Sequence, residues 1–447
     1  MFAKRLQRRT LQRILLIADI LCAFAAVWLS LLFRKQEIPS FAYWQEHVCY
    51  FIPLFVYAVC AMYLASLYVV TKPVETRMLV IRFAAVGIFG WLVGFVFFYF
   101  QLSAINFPKT ILLLFWLNFC LLSFIVRKLM FRMLASAPIP VVFFGECKST
   151  KELFEDLNNN HLFGYKPAFL YHNADDKAAF LEYLETSGGG TNVLYVYTLS
   201  EALLEDLSDI FYKLIASGCQ FIEYSEFYEY IERKIPPEDI GEVWFLSNVV
   251  LSDRRWYFFI KRLFDIFLSL AGVLLTFFLW PFISLFIRLE SSGSAFFVQE
   301  REGRSGKSFR LLKFRTMRIE GNDGSSTKKN DSRVTRVGRI LRTTRLDELP
   351  QLLNVLKGDM SLIGPRPERP EFAFALEKDV PWYRQRLLVR PGITGWDQVC
   401  GEYHSPSKED TYKKLQNDLY YIKNCSISLD ISIVFKTLGT ILRREGR

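Results

Sequence analysis

The chain has 447 residues, room for two or three domains, and 51% of them are hydrophobic, 42 being phenylalanine. Such a composition excludes an ordinary soluble protein and makes a membrane protein the first expectation. The formal charge of +10 is unevenly spread, with 25 basic and 25 acidic side chains over residues 1–287 but 30 and 20 over 288–447. A basic C-terminal part suits phosphorylated substrates or anionic lipid headgroups, and with no nucleic-acid fold motif in view nucleic acid is not an expected partner.

Four hydrophobic segments, near 12–33, 47–70, 78–100 and 105–126, are each long enough to cross a hydrocarbon core of about 30 Å. The first follows Lys4, Arg5, Arg8, Arg9 and Arg13 without a cleavage site, so it reads as an anchor. Basic residues after the second (Lys72, Arg77, Arg82) and fourth (Arg127, Lys128, Arg132) segments put those ends in the cytoplasm, against the contrary vote of Arg34 and Lys35. Asp19, inside the first segment, is either a functional intramembrane group or a residue facing a neighbouring helix.

From Pro138 the pattern changes to α/β. VVFFG (141–145), PAFLY (167–171), NVLYVY (192–197) and CQFIEY (219–224) read as buried strands separated by helices, a Rossmann-like order. Glu146 and Cys147 stand where a dinucleotide fingerprint continues with glycine, so a packing or oligomerisation module without nucleotide is expected, with Gly188–Gly190 a loop before a strand. The eight cysteines are scattered, with no C-x-x-C pair, and read as reduced apolar residues; the four histidines form no zinc pattern. Any metal would be a hard one, held by carboxylate and phosphate oxygens.

Residues 264–287 form a fifth apolar stretch of 24 residues, long enough to span. Its flanks decide otherwise: Arg254, Arg255, Lys261 and Arg262 precede it, and Arg288, Arg301, Arg304 and Lys307 follow, so both ends belong to the cytoplasmic side. Pro281, after Trp280, breaks the helix and permits a return to the face of entry. FRLLKFRTM (309–317) then reads as a strand with Lys313 and Arg315 on one face, in a region, 300–345, holding 14 basic and 5 acidic side chains. The polar run 320–333 is either a loop closing over substrate or an idle insertion.

In LRTTRLDELPQLLNVLKGDMSLIGPRPERP (341–370), Leu349, Leu352, Leu353 and Leu356 trace a helical face that Pro350 allows only in a first turn. Asp347 and Glu348 are therefore expected at a helix start, between Arg342 and the stiff Pro365-Arg366-Pro367 loop. Taken alone, an acidic pair before a helix is more often a complement to the helix dipole than a reactive group. Arg390, beside a Pro-Gly turn, is a second candidate clamp for phosphate or uridine. Ile427, Ile431, Val434, Leu438 and Ile441 then form a helical stripe for the membrane interface, with Lys436, Arg443 and Arg444 to snorkel.

The run LDELPQLLNVLKGDMSLIGPRP, with KRLFDI, FFVQEREGRSGKSFRLLKFRTM, RPGITGW and DLYYIKN, resembles the bacterial sugar transferases, monotopic phosphoglycosyl transferases that pass a sugar 1-phosphate from a nucleotide diphosphate sugar to a polyprenyl phosphate. The likeness covers about residues 256–447, and the preceding segments resemble the large members that initiate capsule, O-antigen or exopolysaccharide synthesis. Where the family continues Ala-Gln-Val-Asn-Gly after the tryptophan, this chain has Asp397-Gln398-Val399-Cys400-Gly401, which bears on sugar specificity.

The expected architecture is an α/β membrane protein: a four-helix transmembrane bundle (1–135), a Rossmann-like α/β module (136–250) and a monotopic α/β catalytic domain (251–447) with a re-entrant helix at 256–289. The resemblance implies Asp347 as nucleophile on a UDP-sugar and as ligand to Mg²⁺, with Glu348 assisting in metal and proton handling. Lys313, Arg315, Arg342, Arg366 and Arg390 are expected to hold phosphate. Expected partners are UDP-sugar, undecaprenyl phosphate, lipid of the inner membrane and a second copy of the chain as a homodimer, the catalytic domain facing the cytoplasm. The competing class is an inactive membrane scaffold or regulator of polysaccharide assembly, against which the intact dyad and arginine loop argue.

Overall fold

The structure is a computed structural model. It describes residues 2–442 except 66, 69–75, 101–108, 137, 146–147, 160–164, 188–192, 199–206, 250, 252–253, 319–330, 332 and 401–407. The readings of Glu146, Cys147, Gly188–Gly190 and most of the 320–333 run therefore lie outside the described residues, as do those of Arg443 and Arg444. Two compact units result, Met1–Ile231 and Glu232–Arg447.

In the first unit, α1 (Phe2–Lys35), α2 (Phe41–Leu64), α3 (Thr76–Phe100) and α4 (Lys109–Ser136) supply four helices long and apolar enough to cross a membrane. Their shared core is aromatic, with Phe51, Phe115, Trp116 and Phe119 buried together. Gly90 admits the Trp116 ring, which a Cβ there would meet at 2.4 Å. Arg127, counted in the sequence as a flanking cation, is instead fully buried in a two-pronged pair with Asp19, both contacts 2.8 Å. Asp19 thus faces a neighbouring helix, and the two charges tie α1 to α4, since neither is tolerable alone in an apolar bundle.

Behind the bundle in sequence comes a four-stranded parallel sheet, β1 (Ile139–Phe144), β2 (Tyr165–Tyr171), β3 (Leu194–Tyr197) and β4 (Gln220–Glu223), in the order β2-β1-β3-β4. Strand alternation splits the core in two. Val141 and Phe143 pack with Leu153 of α5 (Lys148–Asn159) and Phe227 of α8 (Tyr224–Glu232), while Val142 and Phe144 pack with Phe180 of α6 (Lys177–Ser187) and Leu214 of α7 (Ser208–Ala216). The run to 250, assigned by sequence to this module, packs elsewhere: Ile235, Ile240 and, from α9 (Glu242–Asn248), Trp244 and Phe245 join the second unit's core with Val380, Tyr383 and Leu419.

After α9 the second unit continues with a bent pair of helices, α10 (Arg255–Thr276) and α11 (Leu279–Glu290), meeting at 63°. The break falls at Phe277–Phe278, one turn before Pro281, because the proline ring collides with the carbonyl four residues back. The Thr276 hydroxyl donates to the Gly272 carbonyl (2.7 Å) and accepts from the Trp280 indole (3.3 Å), giving polar groups near the break their partners. An antiparallel hairpin, β5 (Phe296–Glu302) and β6 (Ser308–Phe314), lies against the bend: Trp280 meets Phe314 edge-on at 5.7 Å. After α12 (Arg336–Thr344) and α13 (Gln351–Lys357) comes a short parallel pair, β7 (Ser361–Ile363) and β8 (Gly392–Thr394), with α14 (Pro370–Asp379) between them. Then follow α15 (Trp396–Val399), α16 (Lys408–Asn424) and α17 (Ile427–Leu442). On α17, Ile427, Ile431 and Val434 are exposed as the stripe requires, but Lys436 lies over the Trp396 ring at 4.3 Å, so its charge does not snorkel.

Candidate active site

The dyad does not open a regular helix. Arg345 ends α12 in a left-handed conformation (φ 56°), and Leu346–Glu348 form a 3₁₀ turn, with Glu348 N–H bonded to the Arg345 carbonyl and Leu349 N–H to that of Leu346. Pro350 lacks the N–H that would continue an α-helix, so α13 starts only at Gln351. The carboxylates therefore stand one short turn ahead of α13, and side-chain cations surround them as well.

Three contacts fix the turn against its surroundings. The Asn354 side chain bonds like an extra strand to β6, accepting from Leu312 N–H (3.0 Å) and donating to the Arg310 carbonyl (2.7 Å). The Arg262 guanidinium takes the Val355 and Leu356 carbonyls (2.7 and 2.9 Å), capping the C-terminus of α13 from α10. Leu346 and Leu349 pack into the cluster of Trp280, Phe314 and Leu341 below the bend. In this way the apolar bent helix, the hairpin and the dyad form one rigid assembly.

Lys313 comes off the end of β6 beside Glu348, Nζ to Oε1 3.2 Å, and Arg366 reaches the same oxygen at 2.9 Å, while Arg345 lies 3.7 Å from Oε2. Burial opposes ionisation of Glu348, but Arg366, Lys313 and Arg345 outweigh it and hold the carboxyl well below its usual range. Asp347 behaves oppositely. Burial first, and the Glu348 charge second, push it above its ordinary value against the pull of Lys313, Arg342 and Arg366. Asp347 itself makes no hydrogen bond or ion pair among the described residues, so its carboxylate is the uncommitted member of the pair.

Arg366 is placed by two glycine-containing motifs that interlock. A Cβ on Gly364 would stand 2.4 Å from the Arg390 carbonyl, and one on Gly392 would stand 2.1 Å from Gly364 N, so the backbones of IGPRP and RPGITG meet as only glycine permits. Behind the loop, buried Arg386 donates to the Arg366 carbonyl (2.9 Å) and to Asp418 (2.8 Å), and Glu368 accepts from Lys414. Burial opposes the Glu368 charge, but Lys414 and Arg386 prevail and draw its pKa down to about 2. Sequence reasoning missed Arg345, Glu368, Arg386 and Asp418. Glu368 directly follows Pro-Arg-Pro and Asp418 sits in DLYYIKN, which were the available signals; Arg386 had none.

The expected phosphate-binding residues thus separate. Lys313, Arg342 and Arg366 act on the dyad, Arg342 with its Nε bonded to the Thr316 hydroxyl at 2.9 Å. Arg315 contacts different groups from Lys313: it directly follows β6, and its guanidinium donates to the Ser291 and Ser292 carbonyls at 2.6 and 2.8 Å. Arg390 lines a different pocket. Pro281 lies one turn past the bend. For a divalent cation, the chemistry of the donors is suitable: an uncommitted carboxylate on Asp347 leaves the remaining positions to substrate oxygens, the usual arrangement for Mg²⁺. Among the described residues no cluster of three or more His, Cys, Asp or Glu could form an all-protein cage.

The site thus consists of a buried carboxylate pair ringed by lysine and arginine and packed against an apolar bent helix. Residues 256–444 match the family model described as bacterial sugar transferase. The exopolysaccharide production protein PSS of Rhizobium leguminosarum bv. phaseoli is 43% identical over 194 residues, covering 41% of this chain and 96% of that protein, and the chain belongs to the bacterial sugar transferase family. It is also 47% identical over 192 residues to UDP-N-acetylgalactosamine-undecaprenyl-phosphate N-acetylgalactosaminephosphotransferase of Aeromonas hydrophila, and 41% over 201 residues to UDP-glucose:undecaprenyl-phosphate glucose-1-phosphate transferase of Xanthomonas campestris pv. campestris. These matches cover 42% and 43% of this chain but only 45% and 41% of the two relatives.

Proposed function

We propose that the chain transfers a sugar 1-phosphate from a UDP-sugar to undecaprenyl phosphate, at the cytoplasmic face of a bacterial inner membrane, to start a surface polysaccharide. The donor and acceptor classes follow the names of the relatives. The observation that carries the chemistry is the division of labour in the dyad: Glu348 is tied to Lys313 and Arg366, while Asp347 beside it is buried and uncommitted.

Asp347 attacks the sugar-linked phosphorus of the donor; a bond forms from its carboxylate oxygen, the P–O bond of the diphosphate breaks, and the nucleoside monophosphate leaves. The acceptor phosphate then attacks the same phosphorus and returns the carboxylate. Attack of anion on anion needs fixed positive charge aimed at the phosphoryl oxygens, which Lys313, Arg342 and Arg366 supply without reorganising. Mg²⁺, held by Asp347 and the donor diphosphate, would neutralise further charge there. Arg366, Lys313 and Arg345 favour the ionised form of Glu348, and beside the metal and proton handling expected from the sequence we assign it the anchoring of Arg366 and Lys313.

The bent pair enters the membrane and returns to the same face in this reading. Support comes from the 63° bend together with the basic flanks. The parallel sheet of the first unit serves as a Rossmann-like packing module without a nucleotide. The test is incubation of the full chain with a panel of nucleotide sugars and undecaprenyl phosphate. Release of UMP from at least one UDP-sugar is expected, limited to about one equivalent per chain with donor alone and continuing when acceptor is present; release from none of the panel would overturn the proposal.

A further inference from the structure

A second basic pocket is lined in part by residues of β7 and of the segment leading into β8, and the dyad, Lys313, Arg342 and Arg366 take no part in lining it. Its polar lining is Lys261, Arg262 and Asp265 of α10, Arg304 of the hairpin turn, Ser361 of β7 and Arg390 just before β8. Two of the four cations have structural duties: Lys261 pairs with Asp430 at 2.8 Å, and Arg262 caps α13. The one acid, Asp265, is buried and accepts from Leu362 N–H at 3.0 Å. The Arg304 and Arg390 side chains make no hydrogen bond or ion pair among the described residues. Burial, then the charges of Arg262 and Arg304, lower the Arg390 pKa, with Asp265 alone opposing. Like charges gathered in this way favour an anion between them.

The kind of anion follows from position. The pocket wall is the start of the bent apolar helix, and on the same stretch of α10 Trp256, Phe259, Leu263 and Phe264 are all more than half exposed. A water-soluble protein does not present such a strip to solvent, and basic residues followed by exposed aromatics mark the depth of lipid headgroups. We infer that Arg304 and Arg390, with Lys261 and Arg262 behind them, form a separate site for the phosphate of a membrane lipid whose chain lies along α10. Geometry also suggests how such a site would communicate with the chemistry, since Ser361 N–H bonds the Pro391 carbonyl at 2.9 Å and Gly392 N–H that of Pro365 at 2.9 Å, joining the walls of this pocket to the Arg366 loop. That the lipid is the acceptor rests on the function proposed above; that the pocket takes a lipid phosphate does not.

The test uses the full chain in phosphatidylcholine nanodiscs carrying either undecaprenyl phosphate or phosphatidylglycerol, with retained lipid read by native mass spectrometry. An R304Q/R390Q variant should lose retained lipid phosphate by at least about tenfold, as expected for two lost charge-assisted contacts. R304K/R390K should keep most of it, and Lys307→Gln, an exposed neighbour outside the pocket, should match the unaltered protein. Loss confined to undecaprenyl phosphate identifies a holding site for the acceptor, whose phosphate must leave it to reach Asp347; loss of both lipids identifies a general headgroup site. If the double variant does not fold, Arg304→Gln alone, at an exposed side chain, carries the test. Equal retention by the variant and the unaltered protein would overturn the inference, as would a variant that keeps both lipids but releases less UMP from donor alone. Absence of UMP release in the unaltered protein would instead count against the proposed function and leave the lipid readout intact.

Discussion

The two neighbouring acids of the dyad should respond to neutralisation with opposite signs in stability. Glu348→Gln keeps the shape but removes the charge that Lys313 (3.2 Å) and Arg366 (2.9 Å) face, leaving two poorly solvated cations. Removing one partner of a buried pair costs about 3–5 kcal/mol. The Arg366 side chain is 34% exposed, so screening reduces this to about 2 kcal/mol. For a unit of this size that is a fall of about 4–8 °C in the unfolding midpoint. Asp347→Asn removes a charge that folding disfavours and should leave the midpoint unchanged or raise it. The pH dependence follows by linkage. Glu348 has its folded pKa below the ordinary 4.5, so its stabilisation is present above 4.5 and is lost as pH falls through the folded value. Asp347 is raised above 3.8, so its penalty is absent below 3.8 and complete once pH exceeds its folded value. Thermal unfolding of both variants in one detergent, at pH 7.5 and pH 4, is the assay, with the Glu348→Gln deficit expected to shrink at the lower pH. Equal destabilisation by the two substitutions at pH 7.5 would refute the division of roles.

Other outcomes test other links. Cysteines placed at Trp256, at the start of the bent pair, and at Ser292, just after it, should both react with an impermeant reagent from the same side of sealed vesicles; reaction from opposite sides would make the pair a kinked span. Arg386→Gln weakens the hold on the Arg366 carbonyl and leaves Asp418 buried without its cation, so kcat should fall by about tenfold or more with a smaller change in KM. Calorimetry of the full chain with nicotinamide or adenine dinucleotide should show no binding, and a micromolar Kd would overturn the reading of the first unit's sheet as a packing module.

Much of this architecture could be read from residue patterns because the interactions that decide it act between residues close in sequence. Length and apolarity located the four helices, and alternation located Val141–Phe144 with its two differently packed faces. What escaped depended on contacts between distant segments. Arg127 looked like a flanking cation because its partner Asp19 is 108 residues away, and Arg315 looked like a second phosphate clamp beside Lys313 because nothing local shows that its guanidinium is taken by the Ser291 and Ser292 carbonyls. The helix expected at Asp347 became a 3₁₀ turn because Arg345 turns left-handed and Pro350 cannot donate, a combination whose first half has no sequence signature. The bend was expected at Trp280-Pro281 and lies one turn earlier, where proline exerts its steric effect. At the site, Asp347, Glu348, Lys313 and Arg366 stood within or beside recognisable motifs, whereas Arg386 gains its position only when the Tyr383–Leu388 turn packs beneath the arginine loop.

The most direct measurement of the central claim is mass spectrometry of the protein after incubation with UDP-sugar and Mg²⁺ but no acceptor. A sugar-phosphate mass on the peptide containing Asp347, released by undecaprenyl phosphate and absent from Asp347→Asn, is the expected result. Undiminished turnover by Asp347→Asn, with no adduct on any residue, would contradict it.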